Sequence, residues 1–376
     1  MGVCDSESSV VDGVVLVRSP LLGADLEAAF LERCPVRSVD PSGLSLAFLE
    51  RSRTDGALGV VGVNHSPQVA LLCREAGLRY VSWTIDPLTR ERWEVVPLAQ
   101  SVLFVHRKAL VAPLQAMGHA NVQWLPLAAP ARRWEVPDAP RAVAGVSFVG
   151  SSLQDERKLF VQGLDQWGIP DTQPALEAHL VELARLAQEQ TGFHGFLRDP
   201  ALVPASLVAH LAGVATPEDI AECLDAGLAW VYRREQVRFW AQRGAVVHGD
   251  GGWQEVVGES WRGTLRNGQE MTRVYRDATL NVDVPRLHQR EIATLRAFDV
   301  MASGGLLLVE HGTELEELFC AGDEFLVWET PGQRLEILEE SLRNPTWGRS
   351  IGARAREAAW GNRLDLRVEK ILEALR

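Results

Sequence analysis

Short apolar runs alternate with amphipathic stretches through the first third of the chain. Val14–Val17, Val36–Val39, Leu58–Val63, Tyr80–Ile85, Val102–Val105 and Val122–Leu125 are strand-length and apolar almost throughout. Between them, Asp25–Arg33, Pro67–Ala76 and Lys108–Met117 carry helical spacing. The last two stretches run into Gly77 and Gly118, which suit left-handed helix caps. Continuous apolar strands interleaved with helices predict a parallel sheet covered on both faces. Such sheets hold ligands in the loops that follow the strand C-termini.

The pattern breaks at Ala129–Gly145, a Pro- and Ala-rich segment that reads as a linker. A second alternating region opens at Val146–Val149 and continues with Ala245–His248, Leu280–Val282, Leu306–Val309 and Glu324–Trp328. A helical insertion, residues 171–232, interrupts it. Leu176, Leu180, Leu183 and Leu186 have helical spacing there, and Pro200, Pro204 and Pro217 mark helix boundaries. Thr313 and Glu316 form a capping-box pair that predicts a helix start. The tail from Arg349 reads as two helices. The organisation expected is a first domain over 1–138, a second over 139–355, and a C-terminal helix in 356–376 that packs back on the first.

Length and composition agree with this division. A chain of 376 residues suggests roughly two domains. Hydrophobic content of 46% and charged content of 23% are those of a globular protein. A net charge of -12 argues against a nucleic-acid backbone as the main partner, while leaving room for a local basic pocket. Cys4, Cys34, Cys73, Cys223 and Cys320 are scattered and odd in number, which predicts reduced thiols and a cytoplasmic setting. No apolar run approaches the ~20 residues of a membrane span.

The densest chemistry lies in EIATLRAFDVMASGGLLLVE, residues 291–310. Glu291 and Asp299 are two carboxylates eight residues apart, in a stretch that reads as a short amphipathic helix, a Gly-Gly stop and a buried strand. A carboxylate there suits a ribose diol, since it accepts two hydrogen bonds from vicinal hydroxyls; a solvated helix acid before a core strand is the plain alternative. Arg296, one turn before Asp299, faces either a phosphate or Asp299 itself. Gly305 either lets backbone approach a diphosphate or caps the helix. Upstream, VSFVGSSLQDERKLF ends a strand at Gly150 and leads through Ser151 and Ser152 into a helix. Such a start offers free N–H groups to a phosphate, and Arg157 adds a cation; Ser152 as a simple N-cap is the alternative. The glycines are too few for a dinucleotide fingerprint. HGDGGW, residues 248–253, is followed by the turn Arg262–Gly263–Thr264, which can present backbone groups to a nucleobase edge. In the first half, His65 and Asp86 each follow a strand. His65 is a candidate general base polarised by Asp86.

With these residues assembled, the chain resembles the CgeB-like (spore maturation protein B) glycosyltransferases. The similarity runs through VNHSPQVALLCREAGLRYVSWTIDP, VQWLPLAAP, VSFVGS, HGDGGW, YRDATLNV, TLRAFDVMASGGLLLVE and LEELFCAGDEFLVWE. It covers most of the chain outside the insertion. The family's Arg-x-Phe-Glu appears here as Arg296-Ala297-Phe298-Asp299, with an arm one methylene shorter. The resemblance implies an α/β protein of GT-B architecture: two facing Rossmann-like domains with parallel sheets and an interdomain cleft. It further implies transfer of a sugar from a nucleotide diphosphate sugar, UDP-linked, held by the second domain. Gly150, Ser151, Arg157 and Arg296 would meet the diphosphate, Asp299 the ribose, Glu291 the sugar or its phosphate, and residues 262–264 the base. His65 and Asp86 would serve the acceptor, which can be a protein, glycan, lipid or small molecule. No cofactor or metal is implied, because helix termini and basic side chains assist the leaving diphosphate. Three other readings stay open: a nucleotide-sugar 2-epimerase, a non-catalytic sugar-nucleotide module and, more distantly, an NAD-linked oxidoreductase.

Overall fold

Strands form where the apolar runs fall. The computed structural model describes residues 13–20, 22–86, 100–135, 144–169, 173–189, 196, 200–266 and 268–376. Cys4 and most of the Pro-rich part of the linker segment lie outside these. The chain divides into two compact units, one of residues 1–131 with 361–376, the other of residues 132–360.

In the first unit, β1 (Gly13–Val17), β2 (Val36–Val39), β3 (Ala57–Val63), β4 (Arg79–Thr84), β5 (Ser101–Val105) and β6 (Val122–Trp124) make a wholly parallel six-stranded sheet in the order β2-β1-β3-β4-β5-β6. Its helices are α1 (Gly23–Leu31), α2 (Leu46–Thr54), α3 (Pro67–Ala76) and α4 (Val111–Ala116). Gly77 caps α3 with φ +68°. Val15, Val60, Tyr80, Ala70 and Cys73 pack in one buried cluster under α2 and α3. The C-terminal helix, Leu364–Leu375, belongs to this unit. Arg33, two residues past α1, holds Asp365 at 2.8 Å and Glu369 at 2.9 Å, and Arg367 Nε donates to the Pro126 carbonyl at 2.9 Å. Val368, Ile371, Leu372 and Leu375 of that helix are buried.

The second unit holds β7 (Ala144–Val149), β8 (Val246–His248), β9 (Ala278–Val282), β10 (Leu307–Glu310) and β11 (Leu326–Trp328), again all parallel, in the order β11-β10-β9-β7-β8. Its helices are α5 (Gln154–Gln166), α6 (Gln173–Glu189), α7 (Ala205–His210), α8 (Pro217–Ala241), α9 (Gly252–Val257), α10 (Gln269–Asp277), α11 (Leu295–Ala302), α12 (Pro331–Arg343) and α13 (Pro345–Ala359). The helical insertion is present, but its expected end at Tyr232 falls inside α8. That 25-residue helix starts on a Thr216–Asp219 capping box. No proline or glycine stops it at Tyr232, and its buried stripe continues through Val237 and Trp240, so it runs on to the strand it feeds. The Thr313–Glu316 capping box forms too, opening a short 3-10 turn, Glu314–Glu317.

Burial separates the thiols. Desolvation pushes Cys73 and Cys223 each up to about 12, while Cys320 is exposed. Among the described cysteines, Cys320 should therefore alkylate first with iodoacetamide at pH 8, since the thiolate is the nucleophile. Peptide mass spectrometry of a time course would read this. Labelling of Cys73 or Cys223 at the same rate would contradict the packing.

Candidate functional site

In the second sheet, β7 is flanked by β8 on one side and β9 on the other. The chain direction across the sheet reverses there, and the crevice at the strand C-termini beside such a switch point is where doubly wound sheets take ligands. Arg296 occupies it. From the first turn of α11, its Nε donates to the Val149 carbonyl at the end of β7 and its Nη1 to Asp283 just past β9. Its guanidinium also lies over the Phe148 ring, 4.9 Å from the centroid. A side chain at Gly150 would meet Arg296 Nη2 at 2.5 Å, so the glycine is what admits the guanidinium to the turn.

The Gly150–Ser152 turn is held from three directions. Trp253 Nε1 donates to the Gly150 carbonyl at 2.7 Å. Asp250 accepts from the Ser152 N–H at 2.8 Å, from the Ser152 hydroxyl, and from the Gly252 N–H at 3.0 Å. Burial works to raise the Asp250 pKa, but these hydrogen bonds outweigh it and hold the carboxyl below its ordinary value. Arg233 of α8 points Nη1 at the Ser151 carbonyl, 3.4 Å away, and at its hydroxyl, 3.5 Å away. Leu153 follows in a left-handed conformation, φ 59°, and α5 begins.

The turn 262–264 sits on the loop after β8. Gly249 N–H donates to the Gly263 carbonyl at 3.1 Å, and the Thr264 hydroxyl and Trp261 Nε1 donate to the Gly249 carbonyl at 3.2 and 3.1 Å. The structure thus brings Gly150, Ser151, Gly263, Thr264 and Arg296 together at one end of the sheet. Arg262 is exposed and bonds the Glu259 carbonyl within its own turn, so its side chain points away from the group.

The charges at this end are unevenly paired. Arg296 is met by Asp283, and Arg286 by Glu156 through Nε at 2.7 Å. Arg233 interacts electrostatically with all four of these groups yet forms no ion pair among the described residues. It is 5% exposed, and its Nε finds no acceptor among the described residues. Burial, then repulsion from Arg296 and Arg286, pushes its pKa well below the guanidinium range, against the pull of Asp283 and Glu156. Asp250, the third carboxylate at this end, is spent on the Ser152 and Gly252 groups. Arg233, Asp250, Asp283 and Arg286 were not singled out from the sequence. A signal for Arg233 was present: four residues to either side stand Ala229 and Val237, both at 0% exposure, so a cation sits on the apolar stripe of a helix.

Several expected roles change. Asp299 does not pair with Arg296. It is 6% exposed and bound at both oxygens by Arg133, with Nε and Nη2 each at 2.8 Å. Arg133 also bonds the Gly268 carbonyl at 3.1 Å and Thr272 Oγ1 at 3.4 Å. The acid read as a ribose contact is therefore the counter-ion of a buried arginine. Arg157 is exposed and lies over the Trp230 ring at 5.3 Å; helix periodicity turns it toward α8 and away from the turn. Gly305 precedes β10, at the N-terminal edge of the sheet, where a Cβ would strike the Tyr275 carbonyl at 2.4 Å; it serves close packing and lies at the wrong edge for a diphosphate. Glu291 is half-buried in the loop before α11, its carbonyl accepting the Glu314 N–H. Its neighbour Arg290 is committed to Glu310, with Nε at 2.8 Å.

In the first unit, His65 and Asp86 do not pair. His65 Nδ1 lies 3.1 Å from Ser82 Oγ, and the ring packs on Tyr80 at 5.7 Å. Asp86 takes Asn64 Nδ2 at 2.8 Å, and Asn64 Oδ1 accepts the Ile85 and Asp86 N–H groups at 2.9 and 3.1 Å. Asn64, in the left-handed region at φ 61°, ties the loops after β3 and β4 and takes the carboxylate that the sequence reading gave to His65. Among the described residues no group of three or more His, Cys, Asp or Glu side chains is placed to hold a metal ion, and no helix is long and apolar enough to cross a membrane.

The two parallel-sheet α/β units match solved structures of glycosyltransferases with the GT-B fold. Residues 232–373 match the family model described as glycosyl transferase-like. The chain is similar in structure to a glycosyltransferase from Rickettsia africae (TM-score 0.53, 10% identity, 97% of each chain covered). It is similar also to sucrose-phosphate synthase from Thermosynechococcus elongatus (TM-score 0.53, 11% identity, 97% of this chain and 99% of that one). A third similar structure is the Anabaena HepE protein in complex with UDP-glucose (TM-score 0.51, 12% identity, 97% of this chain and 100% of that one). No curated protein matches the chain in sequence.

Proposed function

We propose that this protein is a glycosyltransferase of the CgeB-like branch, using a nucleotide diphosphate sugar, UDP-linked, without a bound metal. The observation that carries the reading is the cluster of three guanidiniums, Arg233, Arg286 and Arg296, at the switch point of the second sheet, all three within the glycosyl transferase-like match. In a sugar transfer from such a donor, negative charge grows on the departing diphosphate. Fixed guanidiniums in a partly dry site stabilise that charge without reorganising. In this reading Arg296 and the Gly150–Ser151 turn receive the diphosphate, and the main chain of Gly263 and Thr264 meets the base; their convergence at one end of the sheet supports it. Glu291, in the loop before α11, is assigned to the sugar. The UDP-glucose complex of the similar HepE structure supports the choice of donor.

Thermal unfolding of the full chain with UDP, UDP-glucose, GDP, ADP and NAD, each with EDTA present, tests this. A ligand at 100 times its Kd raises stability by about 2.7 kcal/mol. Selective stabilisation by UDP or UDP-glucose is the expected result. Stabilisation by NAD alone, or by no nucleotide at millimolar concentration, would remove the proposal.

A further inference from the structure

A buried cation with no anion beside it is unfavourable for folding, and it persists only where something else makes it worth keeping. Arg233 is in that position. It is 5% exposed, and among the described residues its Nε has no acceptor and its only hydrogen bonds are two long ones to Ser151. The acids nearest in effect, Asp283 and Glu156, are already taken by Arg296 and Arg286. On the other side of the same turn, Asp250 already takes the Ser152 N–H. That amide is a group an anion would ordinarily seek at the entry to α5. An internal carboxylate thus satisfies the amide side of the turn, and an unsatisfied guanidinium faces the other.

From this arrangement we infer that Arg233 is the anion-recognition residue of the site: a diphosphate is received by the guanidinium of α8 at Ser151, while Asp250 shapes the turn by withholding the Ser152 amide. This rests on the donor reading above for the identity of the physiological ligand, but its chemistry needs only a polyanionic phosphate. Two parallel N–H donors of a guanidinium match two phosphate oxygens, and the bound anion supplies the counter-charge that the fold omits. The residue is kept for binding at the expense of the empty protein's stability.

Inorganic pyrophosphate and UDP are the probes, with thermal unfolding and calorimetric titration of full-length wild type, Arg233→Gln, Arg233→Met and Arg233→Lys. Without ligand, Arg233→Gln and Arg233→Met should melt at or above the wild-type temperature. With ligand, their apparent Kd for both probes should rise at least tenfold, and Arg233→Lys should fall between. If Gln and Met variants both fail to fold, or melt several degrees lower with affinity unchanged, the charge is structural and the inference is overturned. Wild-type binding of pyrophosphate through Arg233 without any nucleotide-sugar binding would keep the inference and remove the proposed donor. Nucleotide-sugar binding unchanged in Arg233→Gln would do the reverse. Binding of neither probe by wild type would remove both.

Discussion

Replacement of Arg133 by alanine is expected to cost about 3–5 kcal/mol of unfolding free energy, the usual penalty for stranding one member of a buried ion pair. Arg133 is 2% exposed and grips both oxygens of Asp299 at 2.8 Å. Its remaining donors bind the Gly268 carbonyl and Thr272 hydroxyl, so one side chain ties the 3-10 turn Ala131–Trp134 to α10 and α11. Truncation leaves the buried Asp299 carboxylate without the guanidinium that binds both its oxygens. Asp299→Ala should cost a similar amount by leaving the guanidinium behind. The double variant Arg133→Met with Asp299→Leu should recover most of the loss, because apolar groups of like volume need no partner. Urea denaturation of the four proteins measures the cycle. Single-variant costs under about 1 kcal/mol, as for a surface pair, would show that the bridge is not what holds these elements. A fall in nucleotide affinity on Asp299→Ala is therefore to be read only beside its stability.

The second large effect is expected at Gly249, where alanine should abolish measurable donor binding while the nearby Gly251→Ala remains close to wild type. A Cβ at Gly249 would stand 2.0 Å from the Gly150 carbonyl oxygen and 2.9 Å from the Trp253 ring, with φ at +156°. Neither neighbour can yield. Gly150 is fixed by Trp253 through its carbonyl and by His248 through its N–H at 2.9 Å, and Trp253 is fully buried. The loops after β7 and β8 must separate, which pulls the Ser151 turn from Arg233 and the 262–264 turn from Gly249. Overpacking of this kind costs about 1–3 kcal/mol, so the fold should survive while the site does not. A Cβ at Gly251 meets nothing within 4 Å, and φ there is -63°. Isothermal titration with UDP compares the two. Equal affinity in both variants would mean that the interlocked loops do not form the donor site.

The β-strands and the caps were legible because their causes are local. Val36–Val39 and Pro67–Ala76 occupy the residues that apolar pattern, proline and Gly77 indicate, and Thr313 meets Glu316 because a capping box spans three residues. The end of the insertion was misplaced at Tyr232 because a change in composition is not a break in a helix; only the packing of Val237 and Trp240 shows α8 continuing.

The site divides the same way. Sequence by itself determined that a strand end would carry Gly150 and Ser151, since alternation and glycine position put a loop there, that Arg262–Thr264 would form a turn, and that Arg296 would lie on a helix. It could not determine which charge meets which. Asp299 has an arginine one turn away in sequence, yet its partner is Arg133, 166 positions distant. Asp86 follows a strand as His65 does, yet Asn64 holds it. Arg157 stands nearer the turn in sequence than Arg233, yet Arg233 reaches Ser151 across 82 positions. Hydrogen bonds and ion pairs form only between groups brought within about 3–4 Å, so they are decided by the packing of whole elements. Periodicity records only which face of each element is apolar. The tertiary structure alone set the partners, and with them the one buried guanidinium among the described residues of this crevice that lacks a counter-ion.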